Sequence, residues 1–193
     1  QTSTTLERLS AIGQEITAHL DVQAVFAALN RHVHGLLDAS AFAIYLVQED
    51  GLTMRCAMAI ETGRAVTGPD IRIDDTNYYS ARCARERREI IINLSPHERA
   101  PNLVPGTLHC LSKLFAPLMI GERVLGVMTI QTPQAHAYAE RERLIFRTLS
   151  AYGAIALDNA HAYQQLQQAQ TQLVAREKLA ALGPTALDNA ELM

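Results

Sequence analysis

A β-hairpin signal that runs directly into a long helical pattern constrains this chain most, between residues 113 and 170. The first half holds two apolar runs joined at residues 120–123, where Gly121 marks a turn. The second half lacks proline after Pro133 and repeats apolar residues at the spacing of one helix face: Leu144, Ile145, Leu149, Tyr152, Ile155 and Ala156. A helix that follows a hairpin in this way must lie against the sheet or leave it. We predict that it does both.

Helices are also predicted before the sheet. Apolar residues at helical spacing cover residues 5–20, and Asp21 is placed to cap a second helix by accepting a backbone N–H bond. Strands are predicted at 42–47, 52–60, 71–73 and 90–92 and in the hairpin, with a short helix at 78–87 and a proline-rich flap at 95–107. This order predicts an α+β fold. We expect a six-stranded antiparallel sheet with the terminal helices on one face and the short helix and loops over the other.

Three segments carry a resemblance to a known family. They are Ala116-Pro117-Leu118, Val124-Leu125-Gly126-Val127-Met128-Thr129-Ile130-Gln131 and Ala154-Ile155-Ala156-Leu157-Asp158-Asn159-Ala160. In this order they resemble the C-terminal half of a GAF domain, and the resemblance extends more loosely over residues 6–163. It implies a ligand pocket on the second sheet face and a non-catalytic regulatory domain of a bacterial signalling protein, of the histidine kinase or diguanylate cyclase type. We therefore assign residues 5–163 to this domain.

Polar residues on the predicted inner strands, short helix and flap are the candidates for ligand binding. They are Tyr45, Tyr78, Tyr79, Arg82, His109 and Thr129. Each of them has the alternative of forming hydrogen bonds inside a filled core. The Asn-Lys pattern of cyclic-nucleotide GAF domains is missing, and His109-Cys110 reverses the order found in bilin-binding ones. The sequence therefore predicts no particular ligand or cofactor.

The sequence shows no catalytic motif: no glycine-rich phosphate loop, no GxSxG and no HExxH. Cys83 lies among arginines, which would favour a reactive thiolate, but a free cysteine is more often a small buried apolar residue. With Cys110 it motivates an alternative, an enzyme of GAF-like fold such as a free methionine sulfoxide reductase. We expect a non-enzymatic domain. The odd number of widely spaced cysteines predicts a cytoplasmic protein.

The long helix also carries a heptad pattern that predicts a homodimer. Polar residues Asn159 and Gln170 interrupt an apolar seam, and the predicted interface, with the N-terminal helix added, comprises Leu9, Ile16, Leu149, Tyr152, Ala156, Tyr163, Leu166 and Leu173. Residues 164–183 form the predicted coiled-coil signalling helix, and residues 184–193 a tail or linker. Residues 177–183 resemble the segment that leads into the dimerisation helix of sensor histidine kinases, which implies a C-terminal output module. A ligand-free dimerisation module is the other alternative.

Charge and hydropathy exclude two classes of partner. A formal net charge of −3 with 19% charged residues argues against a nucleic-acid surface. No apolar run approaches the ~18 residues of a membrane span, so no membrane contact is expected of this segment.

Overall fold

Seven strands in the described part of the chain form one antiparallel sheet. The computed structural model describes residues 2–101 and 107–188, with side chains for 4–101 and 107–183. The strands are β1 (Ala41–Val47), β2 (Thr53–Glu61), β3 (Arg64–Ala65), β4 (Ile71–Arg72), β5 (Ile90–Asn93), β6 (Ser112–Ile120) and β7 (Arg123–Thr132). Their order is β3-β2-β1-β7-β6-β5, and β4 also pairs with β2. The strand beyond the predicted six is the two-residue β3, which lies where flanking glycine and proline predict a loop.

The β6–β7 hairpin confirms the prediction made from the central sequence feature. Ile120 pairs with Arg123 across a tight turn. Gly121 has a φ of +57°, a left-handed conformation that glycine adopts without steric strain. Because β7 also pairs with β1, the hairpin occupies the centre of the sheet.

Three helices cover one face of this sheet, as predicted. They are α1 (Thr2–Ala18), α2 (Val22–Leu36) and α4 (Glu140–Asp188), whereas α3 (Tyr79–Glu86) lies on the other face. α4 packs on β6, and α1 and α2 pack on α4. Asp21 caps α2, because its Oδ1 accepts a hydrogen bond from the backbone N–H of Ala24 at 2.9 Å.

Alternating side chains divide the interior into two apolar cores. On β6, Leu114 faces the terminal helices and its neighbour Phe115 faces α3. On β7, Met128 faces the terminal helices and its neighbour Val127 faces α3. The core beneath α3 contains fewer residues, and the cavity described below lies on that side.

α4 is 49 residues long and has two parts. Ala160 is the last buried residue of the part that packs on the domain, and every described side chain from residue 161 to residue 183 is exposed. At 1.5 Å per residue, the helix beyond Ala160 extends about 40 Å. It continues past Pro184 to Asp188, beyond the boundary predicted at residue 184. Residues 189–193 lie outside the described residues.

Half of the predicted dimer interface is instead part of the core of the single chain. The residues concerned are Leu9, Ile16, Leu149 and Ala156, each 7% exposed or less. The physical reason is that α1, α2 and α4 pack on one another, so the chain itself covers the stripe that predicted an intermolecular contact. Tyr152 is half-buried against Gly13 of α1. The other three predicted interface residues are exposed: Tyr163, Leu166 and Leu173.

Substitution by alanine should have opposite effects on stability at Gly13, which contacts Tyr152, and at Gly35, which is exposed. A Cβ added at Gly13 would overlap the Tyr152 ring, so Gly13→Ala should lower the free energy of unfolding by about 1–2 kcal/mol despite alanine's better helix propensity. Gly35 of α2 is exposed and has open space around it, so Gly35→Ala should raise that free energy by about 0.5 kcal/mol. Urea unfolding of both variants measures the difference. Equal shifts in one direction would mean that α1 does not pack on α4 in this way.

Candidate functional site

A cavity of about 220 Å³ lies on the sheet face opposite the terminal helices. Its floor consists of residues from β1, β2, β6 and β7, and its described walls are residues 66–69, the start of α3, residues 100–101 and residues 107, 108 and 110. The predicted flap thus borders the cavity at residues 100–101 and 107, while residues 102–106 lie outside the described residues. The position agrees with the face on which the pocket was expected.

One cross-strand row of the floor is polar. Lys113 of β6 pairs in register with Gln131 of β7, which pairs with Ala41 of β1, which pairs with Glu61 of β2. Lys113 is only 6% exposed. Its ammonium Nζ donates a hydrogen bond to Gln131 Oε1 at 2.8 Å. A charged residue therefore lies on an otherwise largely apolar floor.

The charge of Lys113 has no carboxylate partner within the described part of the chain. Burial lowers the pKa of Lys113, because desolvation penalises the ammonium form. The thiol of Cys110 lies near it, but burial raises the pKa of Cys110 to about 11, so this group is neutral at pH 7. Glutamine is thus the polar contact of a desolvated cation.

Glu61 lies at the other end of the polar row. Its Oε1 accepts a hydrogen bond from the backbone N–H of Leu108 at 3.1 Å. This bond joins β2 to the segment that enters β6. One end of the cavity therefore carries a carboxylate and the other an ammonium.

Tyr45, which lines the cavity, forms a second polar pair with Cys56. Burial is the main cause that raises both the pKa of Tyr45 and the pKa of Cys56, and the two side chains share a hydrogen bond. Both groups are therefore protonated near neutral pH, and the Cys56 Sγ donates to the backbone carbonyl oxygen of Met58 at 3.7 Å. An apolar contact completes the site, since the rings of Tyr79 and Phe115 lie 5.8 Å apart between centroids.

The structure brings four of the six predicted ligand-binding residues to the cavity: Tyr45, Tyr78, Tyr79 and Thr129. The other two do not line it. Arg82 forms a 2.9 Å ion pair with Glu86 on the exposed side of α3, because these residues are one helical turn apart. His109 lies between the lining residues Leu108 and Cys110 but does not itself line the cavity.

Sequence reasoning missed Lys113, Gln131 and Glu61. The signal for Lys113 was available, because it is a charge at the start of an apolar strand with the same alternation as Phe115. The signal for Glu61 was not, since its role depends on the backbone of Leu108, a residue 47 positions away in the chain.

Cys83 is a buried apolar residue rather than a reactive thiolate. Its side chain is fully buried, and its Sγ donates to the carbonyl oxygen of Arg88 at 3.3 Å. Burial raises the pKa of Cys83 to about 12, and Glu89 and Glu86 add to the effect. Of the arginines that suggested thiolate stabilisation, Arg82 and Arg88 instead pair with Glu86.

A second, larger and more open groove of about 670 Å³ lies elsewhere on the surface. Two of its three arginines pair with carboxylates, Arg123 with Asp158 at 2.6 Å and Arg87 with Glu122 at 3.5 Å, and Arg85 donates to the backbone carbonyl oxygens of Ile73 and Asp75. The described residues contain no cluster of His, Cys, Asp and Glu suited to a metal ion. Within the same part of the chain, no helix combines the length and apolarity needed to cross a membrane.

Comparisons with known proteins agree on the fold. A family model described as a GAF domain matches residues 19–158. A search of curated proteins gave no significant match.

Several solved structures share the architecture. The GAF domain of an Acinetobacter phosphoenolpyruvate-protein phosphotransferase is 22% identical, with a TM-score of 0.68 over 82% of this chain and 95% of that one. The free methionine-R-sulfoxide reductase of Neisseria meningitidis, solved with its substrate, is 14% identical, with a TM-score of 0.65 over 80% and 89%. The second GAF domain of DevS from Mycobacterium smegmatis is 17% identical, with a TM-score of 0.60 over 76% and 99%. At these identities the likeness concerns the fold.

Proposed function

Because this chain belongs to the GAF domain family, a regulatory and sensory fold, we propose that it is a non-catalytic sensory domain that acts as a homodimer. In this proposal the cavity on the α3 face receives a small molecule, and α4 passes the resulting change to a C-terminal output module.

The observation that carries this proposal is the continuity of α4. The same helix that packs on β6 at the back of the cavity sheet extends about 40 Å beyond the domain without a break. A packed element of this kind moves as one body, so a small shift of the sheet can become a shift or rotation of the distal helix.

A stripe of exposed apolar residues along α4 supports dimerisation. It starts on the domain and continues along the extension: Leu144, Ala151, Ile155, Ala162, Leu166, Ala169 and Leu173. The large members are 43–58% exposed, which is unusual for a row of aliphatic side chains on a monomer. Leu166 and Leu173 were predicted at the interface, and Leu144 and Ile155 replace the buried Leu149 and Ala156.

The spacing of this stripe differs from a heptad. Leu144, Ile155 and Leu166 follow one another at 11 residues, and so do Ala151, Ala162 and Leu173. An 11-residue repeat corresponds to 3.67 residues per turn, and it favours nearly straight or slightly right-handed helix pairs. We therefore propose that two α4 helices meet along this stripe, in parallel, with both C-termini leaving on one side.

The output module is proposed to be a histidine kinase. The support is the resemblance of residues 177–183 to the segment that precedes the dimerisation helix of sensor kinases. A parallel pair of α4 helices would deliver both chains to such a dimeric module together. We also propose a cytoplasmic location, since Cys56, Cys83 and Cys110 are all free thiols.

An enzymatic role has one observation in its favour, namely that Cys110 lines the cavity of a fold shared with a sulfoxide reductase, with Cys56 hydrogen-bonded to the lining residue Tyr45. The pKa of each thiol is raised by burial, however, which disfavours the nucleophilic thiolate. A purely structural module is disfavoured by the cavity itself, because a filled core would not leave an uncompensated Lys113 beside open space.

Sedimentation velocity of the whole chain tests the proposed function. A dimer at micromolar concentration is the expected result. A monomer with α4 intact by circular dichroism would contradict the proposal.

A further inference from the structure

We propose that the cavity binds a small monocarboxylate, whose carboxylate pairs with the ammonium group of Lys113. This inference rests on the proposed sensory function, and it specifies the chemical class of the ligand.

The position of Lys113 carries the argument. A charge taken out of water is stable only when an opposite charge or a full set of hydrogen bonds replaces the water. Lys113 is 94% buried, and within the described residues its one hydrogen-bond acceptor is the neutral Oε1 of Gln131. The ammonium group has three donors. A carboxylate in the cavity would supply both the missing charge and the missing acceptors.

The anionic groups of the protein near the cavity do not fill this role. The Asp38 carboxylate accepts a hydrogen bond from Thr132 Oγ1 at 3.1 Å. Glu61 bonds to the Leu108 backbone, and its strand is three strands away from β6. At ~4.8 Å per strand spacing, the Cα atoms of Glu61 and Lys113 are about 14 Å apart.

The start of α3 provides independent support. This helix begins at the cavity wall with Tyr79 and Ser80. Within the described chain, its N-cap residue Tyr78 forms no side-chain capping bond, and the first turn carries no acidic residue. The first-turn N–H groups of a helix and the positive end of its dipole both favour a bound anion.

The lysine itself is unusual in this chain. Of the 17 lysine and arginine residues, only Lys113 and Lys178 are lysines, and Lys178 is exposed on the extension of α4. Arginine stays charged when buried, whereas a desolvated lysine responds more readily to whether a counter-charge is present. Lys113 is thus suited to a site whose occupancy changes.

Cavity size and the opposite charge of Glu61 restrict the ligand further. A volume of about 220 Å³ lies below the roughly 300–1,000 Å³ of typical ligand pockets, so the ligand is small. The rings of Tyr79 and Phe115 suit an apolar body. A second carboxylate directed along the polar row would meet Glu61, which disfavours dicarboxylates.

Isothermal titration calorimetry with matched probes tests this inference. The probes are butyrate, isovalerate and benzoate, their three neutral amides, and the dicarboxylate succinate. At least one monocarboxylate should bind the whole chain at millimolar concentration or tighter, about tenfold tighter than its own amide, and succinate should bind more weakly. The inference is overturned if none of the three acids binds, or if acid and amide bind equally.

Variants locate the binding. Lys113→Met should lower the affinity for the acid at least about tenfold while the affinity for the amide stays the same, and Lys178→Met should change neither. Gln131→Glu provides a second variant, since it gives Lys113 an internal carboxylate partner and should abolish binding in a protein that remains folded. Glu61→Gln should raise the affinity for succinate.

The outcomes distinguish the two proposals. Unchanged acid binding in both Lys113→Met and Gln131→Glu would overturn the assignment of Lys113. Sedimentation of the chain is a readout that does not depend on acid binding. A monomer that binds acid contradicts the proposed function. A dimer that binds no acid contradicts only this inference.

Discussion

Leu166→Asp should convert the proposed dimer into a monomer at micromolar concentration while the domain remains folded. Leu166 lies on the exposed apolar stripe, beyond Ala160, the last buried residue of α4. In a two-fold dimer the substitution places two carboxylates against each other in an apolar contact. Burying an unpaired charge costs roughly 3–5 kcal/mol, which corresponds to a loss of at least about 100-fold in dimer affinity.

Sedimentation velocity over a concentration series measures this effect, and thermal unfolding reports on the domain. Gln168→Asp is the matched control, because residue 168 is two positions along the helix and therefore on nearly the opposite side. Self-association that survives Leu166→Asp, or that Gln168→Asp disrupts equally, would place the interface elsewhere on α4.

Gly126→Ala should destabilise the domain by about 3 kcal/mol or more, which exceeds the effect expected of Gly13→Ala. Gly126 is buried in β7 and pairs with Leu46 of β1 on one side and with Leu118 of β6 on the other. An added Cβ would overlap the backbone carbonyl oxygen of Tyr45, which belongs to a central strand and cannot rotate away. The β1–β7 pairing would have to open or shift.

A loss of this size is a large fraction of the 5–15 kcal/mol that stabilises a typical domain. Chemical unfolding of Gly126→Ala compared with Gly35→Ala measures it, since alanine meets open space at Gly35. If the free energy of unfolding of Gly126→Ala lies within about 1 kcal/mol of that of the unmodified protein, the backbones of β1 and β7 do not approach each other closely at Gly126.

The order of elements was readable because its signals are local. Gly121 between two apolar runs predicts the hairpin, and Asp21 before an apolar stripe predicts the start of α2. The path of α4 was also predictable, since a long helical pattern after the hairpin requires both packing and departure. β3 was missed because two residues are too few to show alternation.

The sequence did not allow a prediction of which element packs on each face of a helix. Apolar residues at Leu149 and Ala156 fit an intramolecular core and an intermolecular seam equally well in sequence, and only the positions of α1 and α2 decide between the two. The face of α4 that carries Leu144 and Ile155 is the exposed one. It is related to the face of Leu149 and Ala156 by a rotation about the helix axis, and residue spacing alone does not say which of the two faces is buried in the domain. Arg82 was assigned to the cavity although Glu86 follows it by four residues in the predicted helix, a spacing that favours an ion pair on the helix surface.

Disulfide crosslinking of Leu166→Cys tests the proposed parallel dimer of α4 helices most directly. Identical positions meet across a parallel, in-register pair, and a disulfide requires Cα atoms about 4.4–6.8 Å apart. Mild oxidation should therefore link Cys at 166 to its counterpart in the other chain, while Gln168→Cys and the unmodified chain remain uncrosslinked. If Leu166→Cys does not crosslink to itself but links to a partner chain carrying Tyr152→Cys, the helices are antiparallel, and signalling along α4 as a common rod is contradicted.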